Sequence, residues 1–255
     1  KNYIEEKKLK KIIMPYEAQP FQQTLISRVK RFNKKIKIIG YAHDAEPLQF
    51  HLQFRKGSPD IMLFHTKTRI KYYTKYLNWP LSRLKFVPSL RFRKGANEEI
   101  RDGIILLPHG VYQEKKILIE FENFLKISKS STLNKFKVRC HPAAFNLKIQ
   151  NNLKNKIENL MDQYKDKFSY KSKGKKKKML VVIGLSSSVI IALEKGIEVY
   201  QICMEPIFQS YSEKIWPTIQ VSQLSANIFK YNLKKFGKCI KFGNEKNMFN
   251  KYCIN

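Results

Sequence analysis

The sequence predicts an α/β protein made of two Rossmann-like halves with mainly parallel sheets. Three observations predict it. Short apolar runs alternate with longer amphipathic ones along the chain, the order of strands and crossover helices. Met179–Ile183 is wholly apolar, as a strand buried on both faces of a sheet should be. The basic, polar stretch from Ser89 to Asp102 separates two series of such runs. The halves are set at 1–95 and 96–240, followed by a tail at 241–255.

In the first half, Ile12-Ile13-Met14 is a short buried strand. Pro15 to Pro20 is a turn with Glu17 at its centre. Phe21 to Phe32 is an amphipathic helix, because Leu25, Val29 and Phe32 recur at three- and four-residue steps. Ile36 to Tyr41 is a second strand, and Glu46 to Pro59 is irregular. Pro59 to His65 is a third strand. Thr66 or Thr68 can cap the helix that runs through Leu77, and Leu84 to Val87 is a fourth strand. Four strands are few for a complete doubly wound domain, and the chain begins at Lys1 rather than Met. The expectation is that the first half is incomplete.

The second half opens on Gly103 to Gly110, a strand ending in Leu107-Pro108-His109-Gly110. A helix follows from Tyr112 to Ile127. Lys135 to Arg139 is a strand closed by Cys140-His141-Pro142, and a helical pattern continues to Tyr164. Phe168 to Tyr170 reads as a short strand. Met179 to Ile183 leads to Gly184-Leu185-Ser186-Ser187-Ser188 and a helix ended by Gly196. Glu198 to Met204 is a strand, as is Ile219 to Val221, and a last helix is expected from Ser222 to about Lys235.

Composition narrows the class. The chain has 255 residues, 43% of them hydrophobic, enough for a real core. It contains no uncharged apolar run of the roughly 18 residues a membrane span requires, and no signal peptide at the start. Its cysteines, Cys140, Cys203, Cys239 and Cys253, include no CxxC pair. They read as reduced thiols of a cytoplasmic protein. The formal charge is +30, spread along the chain. Abundant Lys, Asn, Ile, Phe and Tyr match an AT-rich coding bias, so no specific nucleic-acid partner is expected. The charge still favours anionic partners, among them the inner face of a membrane touched peripherally.

Several side chains at strand ends can carry chemistry. His141 can donate to a phosphate or protonate a leaving group, since imidazole titrates near neutrality. Pro142 suits the first helical turn beside it. Gly184, Ser186, Ser187 and Ser188 stand at a helix start, where amides and hydroxyls can hold an anion. Ordinary helix capping would account for the serines equally well. Glu17 can act as a general base or be a solvated helix-start acid. Glu194 can accept ribose hydroxyls or simply be exposed. His43, His109 and Gly110 suit a cleft between the halves. Asp44 and Asp60 are too isolated to assign. The lysines at 175–178 read as a solvated loop. No Asp-x-Asp metal motif, P-loop or nucleophile elbow occurs.

An acid near the start, His141-Pro142 in the middle and Ser186-Ser187-Ser188 later resemble bacterial sialyltransferases and transferases using CMP-Kdo. More closely, Tyr16-Glu17-Ala18-Gln19-Pro20-Phe21, Ile39-Gly40-Tyr41-Ala42-His43, Ser89-Leu90-Arg91-Phe92 and Leu106-Leu107-Pro108-His109-Gly110 are similar to a bacterial family of surface carbohydrate biosynthesis proteins. The resemblance spans roughly residues 10 to 235. It implies a GT-B fold and a metal-independent glycosyltransferase with a nucleotide-sugar substrate and no other cofactor. His141 would assist nucleotide departure, Ser186 to Ser188 would bind the donor phosphate, and Glu17 would deprotonate the acceptor hydroxyl of a polysaccharide or lipid-linked glycan. The sequence departs from the sialyltransferase acid motif, with Glu17-Ala18-Gln19 where Asp/Glu-Asp-Gly is usual. It also has His109 where the carbohydrate family has Glu. The alternatives are a CDP-alditol-type polyol-phosphate transferase, a basic nucleic-acid-binding protein, or a non-catalytic remnant.

Overall fold

A computed structural model describes residues 9–47, 50–89, 91–92, 103–128, 135–141, 144, 147–164, 178–237 and 239–243. It is an α/β protein of Rossmann-like class with parallel sheets and helices. The chain divides into two compact units: Lys1–Ala45 with Gln49–Asn97 and Gly237–Asn255, and Glu46–Leu48 with Glu98–Phe236. The segment expected between the halves at 93–102, the strand at 168–170, the lysines at 175–177 and Pro142 lie outside the described residues.

The first unit contains β1 (Lys11–Pro15), α1 (Pro20–Phe32), β2 (Lys37–Tyr41), β3 (Ile61–Phe64), α2 (Lys67–Tyr76) and β4 (Leu84–Phe86). The described strands lie in the order β1-β2-β3-β4, and every neighbour is parallel. Each step moves the chain the same way across the sheet. Successive side chains alternate between faces. One face gathers Ile39, Tyr41, Leu63 and Val87. The other receives α2, whose Tyr73 ring meets Phe64 edge-on at 4.6 Å. Helix α1 buries Gln22, Ile26 and Val29. The segment from Gly237, which carries little sequence signal, returns to this unit. Ser89 N–H donates to Lys241 O, and Lys241 N–H to His65 O, both at 2.8 Å.

The second unit contains β5 (Ile104–Leu106), α3 (Glu114–Ser128), β6 (Lys137–Arg139), α4 (Leu147–Gln163), β7 (Met179–Ile183), α5 (Ser188–Glu194), β8 (Glu198–Ile202), α6 (Pro206–Gln209), β9 (Ile219–Gln223) and β10 (Ile228–Leu233). The described strands run in the order β6-β5-β7-β8-β10-β9. The first four are parallel, while β10 is antiparallel to both β8 and β9. Phe121, Phe124 and Leu125 of α3 pack with Leu153 and Ile157 of α4 and with Ile105, Val181 and Ile183 of the sheet.

The helix expected over Ser222 to Lys235 is instead the end of β9, a turn and β10. Leu224, Ile228 and Tyr231 do fall at helical spacing. The same stretch supports a hairpin, because Ser225-Ala226-Asn227 is turn chemistry and Ile-Phe-Lys-Tyr favours a strand. Pairing decides it: Ile228 meets Ile202 and Tyr231 meets Val199, which completes the edge that β8 would otherwise expose. Among the described residues no helix is long and apolar enough to cross a membrane.

Candidate functional site

The second sheet reverses its winding direction. From β5 the chain goes to β6 on one side, then returns past β5 to β7 and on to β8. Neighbouring β5 and β7 therefore send their connections in opposite directions. Such a switch point opens a crevice outside the carboxyl ends of the strands, the usual ligand position in open α/β sheets. The loops beside it are Leu107-Pro108-His109-Gly110 after β5 and Gly184-Leu185-Ser186-Ser187 after β7.

Glycine at 184 lets these loops touch. Its φ is +78°, and a Cβ there would stand 3.0 Å from the Pro108 Cβ. Its N–H donates to Ile202 O, and its carbonyl accepts from Gln201 Nε2, both at 2.8 Å.

Strand β6 lies beside β5, so its end brings His141 to His109. The two rings meet edge-to-face, with centroids 4.9 Å apart and an interplanar angle of 85°. The strand ends are tied where Leu107 N–H donates to Arg139 O at 2.9 Å, and Ala144 N–H to His141 O closes a turn at 3.1 Å. From α4, the buried Gln150 amide donates to Pro108 O at 2.7 Å and His109 O at 3.2 Å. The imidazole pair is thus mounted on main chain held from two sides.

The serines are placed at the same edge. Helix α5 begins at Ser188 rather than Ser186 and is only 7 residues long. The Ser186 hydroxyl accepts the Ser188 N–H at 3.1 Å, and the Ser186 carbonyl accepts from the Tyr211 hydroxyl at 3.2 Å. Ser186 therefore shapes its own turn. Ser187 occupies the cap position without a side-chain capping bond. Glu194 ends α5. At 1.5 Å rise per residue it stands about 9 Å along the axis from Ser188. His109, Gly110, His141, Gly184 and the serines share one sheet edge, and Glu194 does not join them.

The first unit brings a different set to the carboxyl ends of β1 to β3. Glu17 follows β1 and His43 follows β2, with Glu17 Oε1 3.0 Å from His43 Nε2. Gln22 of α1 shapes the Glu17 turn: its Oε1 accepts the Glu17 N–H at 2.9 Å, and its Nε2 donates to Pro15 O at 2.7 Å. Asp44 is not isolated. Arg69 Nη1 donates to its carboxylate at 2.7 Å and its carbonyl at 2.6 Å. Burial alone would raise the Asp44 carboxyl, but the adjacent guanidinium outweighs it and holds the carboxyl below its ordinary value. His65 is fully buried, and burial pushes its imidazole down to about 3, with Arg69 acting in the same direction. Neither of its ring nitrogens makes a hydrogen bond of normal geometry, and the Ala42 backbone opposes the shift. Burial also lowers His51, partly opposed by Asp44 and Glu17. Asp60 accepts the Ile38 N–H at 2.7 Å and anchors β2.

Sequence reasoning missed Arg69, His51, His65, Gln150, Gln201 and Tyr211. Arg69 meets Asp44 across 25 positions and Gln150 meets His109 across 41, so no local spacing marks either. Among the described residues, no group of three or more His, Cys, Asp or Glu is arranged to hold a metal ion. Comparison with protein-family models, with curated proteins and with solved structures gives no match.

Proposed function

We propose that the chain is a GT-B-type glycosyltransferase. It moves a sugar from a nucleotide donor, best fitted by a CMP-linked acid sugar, to a surface polysaccharide or glycolipid acceptor. One observation carries the reading: the edge-to-face His109–His141 pair stands beside the β5/β7 switch point, next to the Gly184–Ser188 turn. That edge carries two imidazoles and main-chain amides of the kind that bind phosphate, with no carboxylate in either of its two loops.

The chemistry follows from the residues. The donor C–O bond breaks with oxocarbenium character, and its electron pair moves to the departing phosphate oxygen. His141, supported by His109, donates a proton or hydrogen bond to that oxygen. The acceptor hydroxyl oxygen forms the new bond and gives its proton to a general base, the role that the resemblance assigns to Glu17, whose Oε1 lies 3.0 Å from His43 Nε2. Donation by His141 lowers the barrier only if the imidazole is held in place; its ring packs edge-to-face on His109, whose main chain Gln150 holds.

The test is release of CMP from CMP-linked acid sugars in the presence of a glycan acceptor. His141→Ala lowers turnover at least about tenfold, and Glu17→Gln does likewise while leaving donor binding intact. Unchanged turnover in His141→Ala removes the role of that side chain. Release of CMP from a CDP-alditol, but not from CMP-sugars, moves the donor class to polyol phosphates.

A further inference from the structure

Helix α1 is apolar on two sides. One side, Gln22, Ile26 and Val29, is buried against its own sheet. The other is a stripe of Phe21, Leu25, Arg28 and Phe32, all exposed. With 3.6 residues per turn these four positions fall within an arc of about 60°. Phe21 is 69% exposed, Leu25 43% and Phe32 36%. Among the described residues nothing buries this stripe, and a second apolar face on a helix marks a second partner.

Charge selects that partner. The helix has no Asp or Glu. Its basic side chains are Arg28, Lys30 and Arg31, followed by exposed Lys34 and Lys35. Only Lys30 is turned inward, to Asp60 Oδ2 at 2.5 Å and Ile36 O at 2.7 Å. Arg28 lies within the apolar stripe, and Arg31 flanks it. Aromatic and leucine side chains interleaved with arginines match a lipid headgroup boundary, where apolar tips enter the acyl region and guanidiniums stay at phosphate level. We propose that the outer face of α1 docks in the plane of an anionic lipid bilayer.

The surface rests on α1 alone and is independent of the proposed transferase activity. The test uses the full chain and sedimentation with vesicles of phosphatidylcholine, with or without about 30% phosphatidylglycerol, at about 0.1 M salt. The wild type binds the anionic vesicles and not the neutral ones. Arg28→Glu/Arg31→Glu and Leu25→Ser/Phe32→Ser each weaken binding at least about tenfold. A control with the same charge change elsewhere on the surface, Lys148→Glu/Lys214→Glu, stays within about twofold. Circular dichroism confirms that each variant is folded. No wild-type binding, or equal binding by the α1 variants, overturns the proposal. Single-stranded RNA bound by the wild type and lost in the α1 variants, with no vesicle binding, also overturns it and gives the face to nucleic acid.

Discussion

The two sheets treat their carboxyl edges in opposite ways. In the first unit β1 to β4 are laid down in one direction, and the described strands contain no reversal. The polar groups at that edge largely answer one another: Arg69 holds Asp44, Glu17 meets His43, and His65 is sealed inside in neutral form. In the second unit the order reverses between β5 and β7, and the edge presents imidazoles, a glycine turn and serines. The difference is one of electrostatic state. The first edge is internally compensated and partly buried, so the Asp44–Arg69 pair and His65 mainly set the stability of the unit. The two loops of the second contain no carboxylate, and it is there that the donor phosphate is proposed to bind.

The contrast is broken most forcefully at Arg69. Arg69→Met leaves the Asp44 carboxylate buried beside no cation, a loss of about 3–5 kcal/mol. Hydrogen exchange read peptide by peptide will show protection falling about a hundredfold or more in β1 to β4. Protection of β5 to β8 will be retained. Equal loss in both units contradicts the assignment of this pair to the first unit's stability.

A smaller effect is expected at the turn that joins the β5 and β7 loops. Gly184→Ala places a side chain at φ +78° and against Pro108, costing about 1–2 kcal/mol in left-handed backbone strain. Urea unfolding of the second unit will move to lower concentration. The imidazole proton signals of His109 and His141 will shift, because Pro108 carries His109.

At neutral pH the smallest effect is that of His65, which shows only as a slope in acid. Burial pushes the folded His65 imidazole down to about 3, from an ordinary value of 6.5. The unfolded chain therefore binds a proton below about pH 6.5 that the folded chain refuses, and stability falls as pH drops from 6.5 toward 3. The slope approaches about 1.4 kcal/mol per pH unit. Unfolding of His65→Phe will be flatter across that window, and above about pH 7 His65 will contribute no slope.

Much of the strand–helix order was legible because many strands are short apolar runs and many turns carry Pro, Gly or Ser. Met179–Ile183 is the clearest instance, with all five residues buried. The positions of His109, His141 and Gly184 at strand ends were legible for the same reason. The stretch from Ser222 was not, because its apolar spacing satisfies both helix and hairpin, and only the open edge of β8 decides between them. Strand order was not legible either. Nothing local in Leu106 or Arg139 says that their strands are neighbours, so the encounter of His109 with His141 appears only in the folded sheet. The Asp44–Arg69 pair was hidden by the same long-range geometry.

The most direct measurement is calorimetric titration of the full chain with CMP, CDP, UDP and GDP at two salt concentrations, in wild type and His141→Ala. The account predicts selective CMP binding that survives the higher salt and is about tenfold weaker in the variant, a loss of about 1.4 kcal/mol. Weak binding of all four nucleotides, equal in wild type and variant and lost at higher salt, would contradict it. The edge beside β5 and β7 would then be part of a generally basic surface rather than a donor site.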